Sequence, residues 1–167
     1  DGKSREIPAC RCAGSPPAST SISSWDERCG FNSPEEASIA RRDEDYKACD
    51  KLKAASAHLS FEDFPYSGIK PISEIMSKLK EHLYGVQEIW APIGIENHPD
   101  HVASRDAALT LATKLNLSIA LYADAPYASA RGWETPDDKR DKSFQWGPSL
   151  KEVSEQGFVL SSPNIQH

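Results

Sequence analysis

The stretch Val86-Gln87-Glu88-Ile89-Trp90-Ala91-Pro92-Ile93-Gly94-Ile95 is nearly continuous apolar sequence. Such a run is expected for a strand covered on both faces, as in a parallel sheet. An amphipathic helix follows at residues 102–115, marked by Val102, Leu109, Ala112 and Leu115, and then another apolar run at 117–122. Strand, helix, strand in that order implies parallel pairing through a crossover. On the other side, a helix starting near Pro71 carries the stripe Ile72, Ile75, Met76, Leu79 and Leu83, with Gly85 to end it. A short strand at 58–61, with Leu59 and Phe61 alternating, precedes a turn at Glu62-Asp63-Phe64-Pro65. The fold class this predicts is α/β, a three-layer, Rossmann-like parallel sheet.

Further upstream one helix start is clear. Ser33 can cap, Pro34 suits the first helical position, and Glu36 stands where a capping box needs it. The helix is expected to reach about Ala55, with Ala37, Arg41, Glu44, Ala48, Leu52 and Ala55 on one face. Residues 1–32 show neither helical nor strand period, and residues 3–11 lack strand character. After Tyr122 the pattern dissolves into Pro, Gly, Trp and charge. The expected division is an irregular segment at 1–32, a domain at 33–128, and an irregular segment at 129–167.

Composition narrows the function classes. A net charge of −6 argues against a general nucleic-acid binder, whose affinity rests on Lys and Arg neutralising phosphates. No apolar run approaches bilayer length, and the first residues hold no apolar signal core, so a cytoplasmic location is expected. Cys10, Cys12, Cys29 and Cys49 match neither a zinc-knuckle nor a Cys-x-x-Cys spacing; they read as reduced, structural cysteines. Cys49 falls within a helix, where a buried thiol behaves as a small hydrophobe.

In an open parallel sheet, ligands bind beyond the carboxyl ends of the strands. Asp63 follows the first predicted strand, His98 and His101 the second, and Asp124 the third. The sharpest cluster is His98-Pro99-Asp100-His101, two imidazoles and a carboxylate at a strand-to-helix turn. Imidazole is a common Zn²⁺ ligand, and a carboxylate nearby can fix the tautomer of a ligating ring. The same residues also suit a solvated loop in which Asp100 caps the helix. Arg41 and Glu44 allow an ordinary ion pair, and Arg42 is an alternative to Arg41 as the residue of interest.

Glu96-Asn97-His98-Pro99-Asp100-His101-Val102-Ala103 resembles the His-x-Asp-His block of the LmbE/PIG-L family of zinc-dependent N-deacetylases. Arg41-Arg42-Asp43-Glu44 is similar to that family's Arg-x-x-Glu helix. His58-Leu59-Ser60-Phe61-Glu62-Asp63 is similar to its strand ending in aspartate, and Leu121-Tyr122-Ala123-Asp124-Ala125-Pro126-Tyr127 to a later block. Four blocks fall in order over roughly residues 33–133. The resemblance implies removal of an N-acetyl group from a small, amino-sugar-like substrate with Zn²⁺ as cofactor. By the same resemblance His101 ligates zinc, His98 faces the reacting carbonyl, Asp100 orients a neighbouring histidine, and Arg41 and Asp63 contact the sugar.

The family's first block, His-Pro-Asp-Asp, supplies two metal ligands and the general base. It has no counterpart here, since no histidine stands upstream of Ser33; Thr135-Pro136-Asp137-Asp138 lacks both the preceding histidine and a strand. A catalytic zinc normally takes three protein ligands. The chain is therefore expected to be incomplete at the N-terminus of its sheet and weakly active or inactive. The alternative is a non-catalytic carbohydrate-binding or vestigial α/β domain.

Overall fold

A computed structural model describes the backbone of residues 7–13, all of residues 21–123, and residues 151 and 153–155. The elements run in chain order as follows. Strand β1 spans Ile7–Ala13, helix α1 Ser24–Arg28, helix α2 Pro34–Leu52 and strand β2 Ala54–Phe61. Helix α3 spans Phe64–Ser67 and α4 Ile72–Lys80. Strand β3 spans Glu88–Pro92, with a 3₁₀ turn at Ile95–Asn97, helix α5 at Pro99–Leu115 and strand β4 at Ser118–Tyr122.

The described strands form two parallel ladders. β1 pairs with β2 from Ile7↔Ala54 to Ala13↔Phe61, with a register shift between Arg11 and Ala13. β3 pairs with β4 from Glu88↔Ser118 to Pro92↔Tyr122. The class is α/β, and the parallel pairing of β3 with β4 follows the expectation. Residues 1–32 depart from it: β1 and α1 lie where irregular chain was predicted. Pro8 and Arg11 hide the strand period, and the strand is specified by its partner β2 rather than by its own propensities.

Local chemistry sets the helix ends. Ser33 Oγ accepts from the Glu36 amide at 3.1 Å, and Glu36 Oε2 accepts from the Asn32 amide at 2.8 Å. Lys53, left-handed at φ 55°, closes α2, so the helix stops short of Ala55 and Leu52 is 76% exposed rather than on a buried face. Ala37, Ser38 and Cys49 are the residues α2 buries beside Pro34. α4 ends at Lys80, earlier than Gly85 suggested. Cys29 and Cys49 carry free thiols, the second buried.

The core gathers Leu59 and Phe61 of β2, Ile75 of α4, and Ala103 and Ala107 of α5, with Met76 and Leu79 packed against it. His58, of opposite parity on β2, turns toward α2, where it meets Asp45 at 3.3 Å and the Tyr46 ring edge-on. α5 packs on β3, β4 and α4. One expectation fails at β3. Ala91 is buried, but Trp90 is 67% exposed, so among the described residues the face of β3 that carries Trp90 is left open. An apolar run does not reveal whether a helix lies over it.

Arg105 was not anticipated in the core. Its side chain is 1% exposed, and Nη1 donates to the Ile93 carbonyl at 3.1 Å while Nε donates to Asp106 Oδ1 at 2.9 Å. No helix among the described residues is long and apolar enough to cross a membrane.

Candidate active site

The chain leaves β3 through three left-handed residues, Gly94 at φ 78°, Glu96 at φ 61° and Asn97 at φ 58°. Left-handed backbone costs a non-glycine residue roughly 1–2 kcal/mol, and such runs persist where the surroundings over-determine them. The run delivers His98 to the N-cap of α5, where its carbonyl accepts from the Val102 amide at 3.0 Å. α5 starts at Pro99, three residues before the predicted start. Asp100 consequently lies in the first turn, where the helix dipole favours a carboxylate, and is not the cap.

The His98 and His101 rings stand side by side, centroids 4.8 Å apart and planes tilted by 47°. Both Nδ1 atoms are shielded from solvent. Asp100 Oδ2 accepts from the Phe64 amide at 3.0 Å, bonding the first turn of α5 to the start of α3. Asp63, the N-cap of α3, thereby comes to the same edge as the histidines. Asp63, His98, Asp100 and His101 meet at the carboxyl ends of β2 and β3.

Arg41 reaches this edge from α2. Nη1 donates to Asp63 Oδ2 at 3.3 Å, and Nη2 is ion-paired with Asp26. Its partners are these two aspartates and not Glu44, and the residue that reaches Asp63 is Arg41, not Arg42. Asp26 and Tyr66 are the members that sequence reading missed. Asp26 is 1% exposed and accepts from the Tyr66 hydroxyl as well as from Arg41. The available signal was Ser23, which caps α1 by accepting from the Asp26 amide at 3.1 Å. Asp124 lies outside the described residues.

The two aspartates titrate in opposite senses. Burial opposes the Asp26 carboxylate, but hydrogen bonds from Tyr66 and Arg41 and the Arg41 charge outweigh it, holding its pKa below the ordinary value. For Asp63, burial and the negative charges of Asp100 and Asp26 outweigh Arg41 and His98 and raise the pKa. Asp26 thus contributes stability present above the unfolded carboxylate pKa of about 3.9 and lost as pH falls through its lower folded value. Asp63 contributes stability present below that unfolded value and lost as pH rises through its higher folded one. Asp63→Asn should therefore make the slope of stability against pH more positive than in the parent chain, in the window just above the unfolded carboxylate pKa of about 3.9. Urea midpoints measured across that window check this; an unchanged or shallower slope would refute the assignment.

The donor set can be tested against zinc. Two neighbouring imidazoles are present, but among the described residues no three His, Cys, Asp or Glu side chains group to hold a metal. A complete catalytic zinc site, with three protein ligands, does not fit these residues. Beside the histidine turn lies a largely apolar cavity of about 310 Å³, whose lining includes Ile69, Ile72, Asn97, Pro99 and Val102.

Among solved structures, the chain superposes on the A40926 pseudoaglycone deacetylase Dbv21 with a TM-score of 0.62 and 27% identity, over 75% of this chain and 54% of that one. It superposes on a triple mutant of a deacetylase of the teicoplanin biosynthetic pathway with a TM-score of 0.60 and 27% identity, over 71% and 52%. A zinc-inhibited form of the teicoplanin deacetylase Orf2 shares the fold at 23% identity, with a TM-score of 0.56 over 80% and 57%. The chain spans about half the length of these structures. No family model and no curated protein matches it.

Proposed function

We propose that this chain carries part of the active-site edge of an LmbE/PIG-L-like N-deacetylase whose substrate is amino-sugar-like. The observation that supports it best is the meeting of Asp63, His98, Asp100 and His101 at one carboxyl edge, in a fold shared with deacetylases. One neighbour is a deacetylase–teicoplanin complex, which agrees with a small-molecule substrate. In this reading β1–β2 and β3–β4 belong to one Rossmann-like sheet in three layers; helices toward both His58 and Leu59 of β2 favour it.

His98 donates to the carbonyl oxygen of the N-acyl group as negative charge develops there, and Asp63 and Arg41 bind the sugar. Asp100 holds the histidine turn against α3. His101 is the zinc ligand, and a zinc-inhibited neighbour agrees with metal binding in this fold. Because the described donors fall short of a full site, no step is assigned to the metal. That shortfall also favours a second reading, a carbohydrate-binding domain without turnover. Free thiols at Cys29 and Cys49 agree with a cytoplasmic workplace.

The test is zinc content after dialysis together with hydrolysis of an N-acetylglucosamine derivative. The expected outcome is substoichiometric zinc and slow turnover. His98→Ala should lower that turnover about 10²–10³-fold with KM nearly unchanged, the usual cost of losing an oxyanion donor. Stoichiometric zinc surviving dialysis would refute the incomplete site. Binding of the sugar with no turnover would favour the carbohydrate-binding reading.

A further inference from the structure

Four residues close a circuit around Asp63. The Asp63 carbonyl accepts from the Tyr66 amide at 2.9 Å, and the Tyr66 hydroxyl donates to Asp26 Oδ2. Asp26 Oδ1 takes Arg41 Nη2, and Arg41 Nη1 returns to the Asp63 carboxylate at 3.3 Å. The buried end is itself tied down, since the Tyr66 oxygen accepts from the Ser23 amide at 3.2 Å and the Ser23 side chain accepts from the Asp26 amide. The Phe31 ring lies under the guanidinium, 5.9 Å from it. A guanidinium is a rigid planar fork, so fixing one edge fixes where the other points.

We infer that Asp26 is a positioning residue of the cleft: with Tyr66 it holds Arg41 by its inner edge, so that the outer edge orients the Asp63 carboxylate. Burial is graded accordingly. The side chain of Asp26 is 2% exposed, whereas those of Arg41 and Asp63 are 32% and 28% exposed. Besides its own contact, Arg41 therefore acts through Asp63, whose carboxylate it orients for the sugar. The inference rests on Asp63 being a cleft residue, but its test needs neither turnover nor bound sugar.

The experiment follows the Asp63 ¹³Cγ resonance at pH 7 in the full chain and in Asp26→Asn, and the unfolding constant in Asp26→Asn, Asp63→Asn and their double variant. These are repeated on an Arg41→Met background. Asp26→Asn should move the Asp63 resonance although the two carboxylates do not touch. The two substitutions should be coupled by about fivefold in the unfolding constant, and the coupling should vanish without Arg41. Arg41→Lys keeps the charge but loses the fork, and should move Asp63 as far as Arg41→Met does. Tyr66→Phe, which removes one hydroxyl, should move it less and in the same direction; it stands in for Asp26→Asn if that variant does not fold. An Asp63 resonance unmoved by both Asp26→Asn and Tyr66→Phe, or additive unfolding constants, would reduce Asp26 to a local brace and overturn the inference. Loss of the deacetylase reading alone, through absent turnover, would leave these readouts unchanged.

Discussion

Arg105→Leu should destabilise the chain by about 2–4 kcal/mol, because it leaves the Ile93 carbonyl without its donor and leaves space the leucine does not fill. The guanidinium spans from α5 to the backbone just past β3, 1% exposed. Asp106, 23% exposed, also loses a bond from Arg105 but lies within partial reach of water. Arg105→Lys should recover part of the stability, since it keeps a donor but not the planar fork. Urea unfolding measures both, and a loss below about 0.5 kcal/mol for Arg105→Leu, the range of ordinary surface substitutions, would show that the bond carries little.

Gly94→Val should cost about 2–4 kcal/mol, combining left-handed backbone strain with overpacking. Gly94 sits at φ 78°, and a Cβ there would lie 3.2 Å from Val102 Cγ2 and 3.5 Å from Arg105 Nη1. Gly94→Asn separates the two causes, because asparagine tolerates the left-handed region yet still adds a Cβ. It should lose about half as much. The same change should disturb the ¹⁵N–¹H resonances of His98 and His101 while leaving those of β1 and β2 in place. A Gly94→Val chain as stable as the parent would refute the strain argument.

The turn that Gly94 opens was legible only in part. His98-Pro99-Asp100-His101 announced a strand-to-helix junction by composition, and β3, α5 and β4 followed from apolar periodicity. The left-handed run before His98 was not announced, because Glu96 carries a side chain that ordinarily avoids it, and Asn97, which tolerates it, adopts it in only a minority of positions. Ser33, Pro34 and Glu36 marked the start of α2 because a capping box is a local interaction. β1 was illegible for the opposite reason: its pairing partner lies more than forty residues away.

The site divides along the same line. Asp63, His98 and His101 were found because each follows a strand. Asp26 and Tyr66 were not, since a buried carboxylate and a hydroxyl on short helices leave no period in the sequence. Their contacts cross about forty residues, from Asp26 to Tyr66. Arg105 was passed over because a charge within an amphipathic helix is normally assigned to water.

The two parallel ladders share no backbone hydrogen bond among the described residues. Within each ladder the directional bonds of the backbone hold register tightly; between them the join is the packing of Ile75 with Leu59, Phe61, Ala103 and Ala107, together with the bond from the Phe64 amide to Asp100. Packing of that kind is non-directional and tolerates sliding where a ladder does not. Cooperativity between the halves of the chain accordingly passes through α4 and through the bond between α3 and α5. A change of volume at Ile75, which belongs to no polar contact of the cleft, is expected to shift the strand end before Asp63 relative to the helix that carries His101.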